Sequence, residues 1–420
     1  MKPKTLKPTI PRGHRLRLAL LLLLLVLVLR QEGPPPGALS TGVGGIVADL
    51  RFDFWGWEAD ALWGKFTHWL VQPQRYMREP DREAFVRDYI DRIGQIRHLE
   101  ARIHRVYADP DVADPDEATA PLRRADRWMR MALTARQPLA EAILEEQVGE
   151  VLARGGLGLL GQPLPPVSAH FTPLPYYLVV SPRERIAVIY QQELEHGLDV
   201  ATQEAIEERI DRTFDVSSLV TPIGGMSAWP SMLLESSDLA WVVEVVAHEW
   251  THHYLSFHPL GWAYDRSHEA RTINETTASI VGKEVARAVL ARHYPDLLPP
   301  EEEPQQGPPP EPPAFDFRAE MHKTRVEVDR LLAEGRVEEA ERYMEERRRF
   351  FWEHGYHIRK LNQAYFAFYG SYAAEPGAAG EDPIGPLVRR LREESPSLRA
   401  FLQRVRGITS LERLRQVVLE

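Results

Sequence analysis

The 420-residue sequence predicts an α+β fold that is predominantly helical, with a small sheet set between helical N- and C-terminal regions. Three observations lead to it. Apolar residues recur at helical spacing over most of the chain. Short β-branched and aromatic runs are confined to residues 176–233. A Pro-rich stretch then separates a final helical region from the rest. With 44% hydrophobic residues, the chain can bury a sizeable core and has room for two or three domains.

In chain order, the first element is a targeting segment. Seven basic residues and no acidic one occur in the first 30 positions, around the twelve-residue apolar run "LALLLLLLVLVL" from Leu18 to Leu29. Twelve helical residues cover roughly 18 Å of a hydrocarbon layer about 30 Å thick, which fits a signal-peptide core or a short uncleaved anchor. Ala38 and Ser40 offer small residues for a cleavage site. The basic flank keeps the N-terminus in the cytoplasm and sends everything after Arg30 outward, so the expected location is membrane-anchored or secreted. A helical N-terminal region over 50–160 follows, with helices at Trp55 to Leu70, Arg82 to Tyr107, Asp116 to Leu133 and Leu139 to Ala153. A core over 161–294 opens with strands at 176–181, 185–190 and 217–233, the last interrupted by glycines, and ends in a helix from Glu269 to Tyr294. Residues 295–313 carry nine prolines in nineteen positions and read as a linker. The C-terminal region over 314–420 begins with a helical hairpin, 316–333 and 337–354, around Gly335, and continues with a helix over 356–372.

Composition narrows the chemistry. Without the first 30 residues the balance is 44 basic against 61 acidic residues, or −17, which excludes a nucleic-acid partner because phosphate binding needs clustered Lys and Arg. There is no cysteine, so any metal is held by His, Asp or Glu.

One stretch calls for such a metal. "VVAHEWTHHYLSF" (245–257) is a buried-helix pattern that carries His248, Glu249 and His252. Histidines four apart project from one helix face and can grip one ion, with Glu249 beside it. This is the H-E-x-x-H arrangement of zinc hydrolases, whose glutamate serves as general base. His253 reads as a flanking residue and not a ligand. Catalytic zinc takes three protein ligands, so a third is required. His258 stands six residues after His252, but Leu255 occupies the midpoint where a glycine is expected. Glu275, 23 residues after His252, lies on a helix whose same stripe carries Ala278 and Gly282, small residues that let a neighbouring helix come close.

"HEWTHHYL" followed by "NETTAS" resembles the gluzincin metallopeptidases, the group of thermolysin and the zinc aminopeptidases, over Val243 to Leu290. The chain as a whole is most similar to uncharacterised bacterial membrane-associated proteins that share the motif pair. The resemblance implies a zincin-like catalytic core with one Zn2+ per chain, ligands His248, His252 and Glu275, and Glu249 as base. It departs from the pattern at Ser279, where thermolysin-like members place an aspartate that orients the first histidine. It also implies an edge strand for the substrate backbone, matched by Gly224, Gly225 and Met226, since zinc aminopeptidases carry a similar Gly-Gly-Met strand. An oxyanion donor is expected from a later helix, where Asn362, Tyr365, Tyr369 and Tyr372 share a stripe; Tyr365 or Tyr369 is the candidate. The expected function is zinc-dependent hydrolysis of a peptide or protein substrate. A zinc hydrolase of another substrate and a non-enzymatic binding or sensing protein are the alternatives.

Overall fold

The computed structural model describes residues 38–109, 111–298, 315–370 and 383–419. The targeting segment, most of the Pro-rich stretch and Tyr372 lie outside these residues. The chain divides into two compact units at Ile46 and Val47. Helix α1 (Leu39–Ile46) belongs to the first, and all that follows belongs to the second. The fold is predominantly helical, 67% helix against 9% strand, so the small sheets serve the helices and not the reverse. Among the described residues no helix is long and apolar enough to cross a membrane.

Three helices open the second unit: α2 (Phe54–Val71), α3 (Glu79–Ala108) and α4 (Pro115–Arg154). The two helices expected over 116–133 and 139–153 are one. Pro138 removes a backbone donor, but Leu133 before it and Ala140, Ile143 and Leu144 after it enter the same core, and that burial carries the helix through. A short hairpin, β1 (Gly158–Leu159) and β2 (Gln162–Pro163), follows.

Two three-stranded sheets come next. One holds β3 (Ala169–Phe171) parallel to β8 (Ser231–Leu233), with β7 (Gly225–Met226) as its antiparallel edge. The other is antiparallel, in the order β5 (Tyr190–Leu194), β4 (Tyr176–Pro182), β6 (Val216–Pro222). The strand expected at 185–190 starts only at Tyr190. Ser181 Oγ donates to the Arg185 carbonyl and accepts from Ala187 N–H, which closes a turn over the intervening residues before pairing resumes. Between β5 and β6 lies α5 (Val200–Phe214), a helix the sequence reading lacks, capped by Asp199 accepting from Thr202 N–H.

The centre is α6 (Leu239–Leu255), the short α7 (Pro259–Trp262) and α8 (His268–His293). Caps fix both long helices: Asp238 accepts from Trp241 N–H, and Ser267 from Ala270 N–H. They approach closely at Gly282; a Cβ there would stand 2.9 Å from the Glu244 carbonyl oxygen and 3.3 Å from His248 Cβ. At the far end of α8 the buried His293 faces α3, with Nδ1 3.1 Å from Glu79 and 3.3 Å from Glu83, and Arg292 pairs with Glu150 of α4 at 2.8 Å.

The last helices are α9 (Phe317–Ala333), α10 (Val337–Glu353), α11 (Gln363–Tyr369), α12 (Ile384–Glu393), α13 (Leu398–Val405) and α14 (Leu411–Leu419). The expected helix over 356–372 is cut down to α11. Arg359 is drawn out to pair with buried Glu207 at 2.6 and 2.9 Å, and Asn362 then caps α11 by accepting from Tyr365 N–H. Helices α9 to α11 share one core around Phe351 and Phe366, whereas α12 to α14 join the main core of α3, α4, α6 and α8.

Candidate metal centre

Side by side, α6 and α8 aim three side chains at one point. His248 Nε2 and His252 Nε2 are 3.1 Å apart, and Glu275 Oε2 lies 3.4 Å from the first and 3.5 Å from the second. Three ligands bonded to zinc at about 2.0–2.1 Å in tetrahedral directions stand about 3.3 Å from one another. The triad has that spacing. Its polar bookkeeping is also incomplete: Glu275 Oε2 is buried without a hydrogen-bond partner, and two ring nitrogens that face each other can share at most one hydrogen. A divalent cation satisfies all three atoms at once, so the donor set fits the ion that the motif implies.

Neighbouring groups orient the ligands. His252 Nδ1 donates to Asn274 Oδ1 at 2.8 Å, which leaves Nε2 with its lone pair toward the site. The other carboxylate oxygen of Glu275 accepts from the Tyr264 hydroxyl. Arg271 stacks over the Tyr264 ring at 4.8 Å and holds Gln191 and Asp265, both at 2.9 Å. In the metal-free protein, burial opposes a charge on His252, but Glu275 outweighs it and raises the pKa to about 9. The same pairing overcomes burial at Glu275 and holds its carboxyl well below the usual range.

Glu249 points beside the triad into a cleft of about 540 Å3. It is buried, and burial pushes its pKa up; His248 and His252 only partly offset this. Across from it runs the edge strand β7. A Cβ on Gly225 would meet Glu249 Oε1 at 2.5 Å and Val245 Cγ1 at 3.0 Å, so only glycine lets the strand backbone lie against this carboxylate. Gly225 and Met226 line the cleft together with Ser227, Ala228 and, from the sheet side, Tyr177 and Glu193. Gly224 packs on Trp241 instead. His253 is no part of the triad: its Nε2 donates to the Ala228 carbonyl at 2.6 Å and fixes the cleft wall to α6, while burial lowers its pKa to about 4 and keeps it neutral.

The later tyrosines stand elsewhere. Tyr365 and Tyr369 stack on each other, ring centroids 4.5 Å apart, and the Tyr369 hydroxyl meets Thr221 Oγ1 at 2.8 Å; neither lines the cleft. His258 occupies the N-cap position of α7 without a side-chain cap bond, its ring tilted against that of Tyr254 at 4.8 Å, and it does not line the cleft. The tyrosines that do line the cleft are Tyr177 and Tyr264, which sequence spacing did not single out. Asn274 was legible only as a letter of "NETTAS". In comparison with known proteins, no family model, no curated protein and no solved structure matches the chain.

Proposed function

We propose that the chain is a zinc metallopeptidase of gluzincin type with a zincin-like core, exported or membrane-anchored. What supports this reading above all is the convergence of His248, His252 and Glu275 at the spacing of a three-ligand zinc site, with Glu275 Oε2 otherwise orphaned, beside a second buried carboxylate at Glu249. A zinc ion held there supplies Lewis acidity toward a water and the scissile carbonyl. Glu249, which lines the cleft beside the triad, accepts the water proton at its carboxylate. The backbone of Gly225 and Met226 aligns an extended peptide along the cleft. Tyr177 donates to the developing oxyanion from the opposite wall, since the Tyr264 hydroxyl is committed to Glu275.

The test is made on the purified protein. The expected result is one zinc per chain and cleavage of members of a peptide library, with Glu249→Gln keeping the zinc while losing about 10²–10⁴-fold in rate. Zinc-free protein, or a Glu249→Gln variant as fast as the parent, refutes the reading. Zinc without peptide cleavage moves it to another hydrolytic substrate.

A further inference from the structure

Helix α2 is built inside out. Lys65 points inward, where its Nζ donates to Glu141 at 2.6 Å, Glu145 at 2.8 Å and the Ala169 carbonyl at 2.5 Å. Trp55, Leu62, Trp63, Phe66, Trp69 and Leu70 point outward and are exposed, Trp55 by 79%, Trp63 by 67% and Trp69 by 61%. At 100° per residue these six fall within a stripe about 120° wide that holds no charged residue. The rings of Trp63, Phe66 and Trp69 form a ladder along it, with centroids 6.0 and 6.2 Å apart. A second exposed apolar group lies across a charged groove from this stripe. The β1–β2 hairpin flanks the same groove as α2 and carries at its tip Leu160, 95% exposed.

We propose that this face, the outer stripe of α2 with the β1–β2 tip, docks the chain onto the surface of a phospholipid bilayer. Three observations select lipid over other occupants. Tryptophan and phenylalanine on an uncharged stripe match the headgroup boundary, where an amphipathic ring suits both sides. The chain's own apolar run, Leu18–Leu29, is shorter than a usual membrane-spanning helix and ends only 25 positions before Phe54. A tether of that length, with the eight residues of α1 helical, reaches at most about 70 Å, so a bilayer engaged by the run has α2 within reach at high effective concentration. The body is acidic, so attachment is driven by apolar burial and not by anionic lipid. The docking itself does not rest on the peptidase reading.

The absence of native cysteine allows a direct test on the full chain. Phe66→Cys, Leu160→Cys and, as control, Ala333→Cys at the exposed end of α9 are labelled with an environment-sensitive fluorophore. They are mixed with zwitterionic phosphatidylcholine vesicles that carry a nitroxide near the acyl carbonyl. The expected result is a blue shift and several-fold stronger quenching at positions 66 and 160 than at 333, unchanged at high salt. Adding Trp63→Ser and Trp69→Ser, both on the solvent side of α2, abolishes quenching at 160 while circular dichroism stays the same. The proposal is overturned if the chain floats with vesicles but both probes stay in water, since the N-terminal run alone then holds it. It is equally overturned if the chain does not float, or if the shift occurs without lipid at a dimeric mass, which gives the face to a second copy.

Discussion

At the scale of single residues, the strongest constraint is the one between Gly225 and Glu249. Gly225→Ala places a methyl 2.5 Å from a carboxylate that cannot retreat into the core without cost. The expected outcome is a loss of about 1–3 kcal/mol in stability and a fall in catalytic rate with zinc content retained, read from denaturant titration and metal analysis. His252 sets a pH dependence whose sign is fixed by its raised pKa. In the metal-free protein the charge on His252 beside Glu275 stabilises the fold fully below about pH 6.5, and this contribution is lost as pH rises through about 9. Zinc displaces the proton that carries this charge, so zinc affinity climbs about tenfold per pH unit between these limits, and the zinc-loaded protein escapes the alkaline loss of stability. Competitive chelator titrations across that window check it; a flat affinity would mean that His252 is neutral before the metal arrives. His248 and His252 were legible in the sequence because a spacing of four puts them on one face of α6 with Glu249 beside them, whereas Glu275 on α8 was legible only from its small-residue stripe and the motif resemblance. Tyr177 and Tyr264 were not, because one comes from a strand and the other from a loop, and only the fold brings them to the cleft.

At the scale of elements, the site depends on how closely α6 and α8 approach. Gly282→Ala inserts a methyl 2.9 Å from the Glu244 carbonyl oxygen and 3.3 Å from His248 Cβ, so the two helices must part just where the first ligand leaves α6. We expect zinc binding weakened by about tenfold or more and a stability loss of about 1–3 kcal/mol. Gly335→Ala is the contrast: at φ +73° it strains the α9–α10 turn but leaves the zinc affinity unchanged. Measuring both by chelator competition separates helix spacing from general destabilisation. The long helices were readable from their periodicity and from breakers such as Gly335. The elements that were misread are those in which local pattern lost to long-range contacts. Tertiary burial carried α4 through Pro138, the Arg359 pairing with Glu207 shortened α11, and Ser181 delayed β5.

At the scale of the whole molecule, the metal helices do not stand in a core of their own. Trp250 of α6, Val285 and Val289 of α8, and Phe401, Leu402 and Val405 of α13 belong to one buried cluster, while Arg392 of α12 grips Glu284 of α8 at 2.7 and 2.9 Å. The chain beyond residue 383, which sequence composition set apart behind a Pro-rich stretch, thus supports the helix that carries Glu275. Phe351, by contrast, lies in the separate cluster of α9 to α11. Both phenylalanines are fully buried, so truncating either to alanine costs about 3–5 kcal/mol locally. The consequence for the metal differs. Phe401→Ala lowers the denaturant concentration at which zinc is released, because the ligands unfold with the core they share. Phe351→Ala lowers the midpoint of helix loss while zinc release stays near the parental midpoint, because α9 to α11 can open without separating α6 from α8. Following zinc release with a chromophoric chelator alongside circular dichroism distinguishes the two. Equal shifts of zinc release in both variants would show that the two clusters unfold as one cooperative unit.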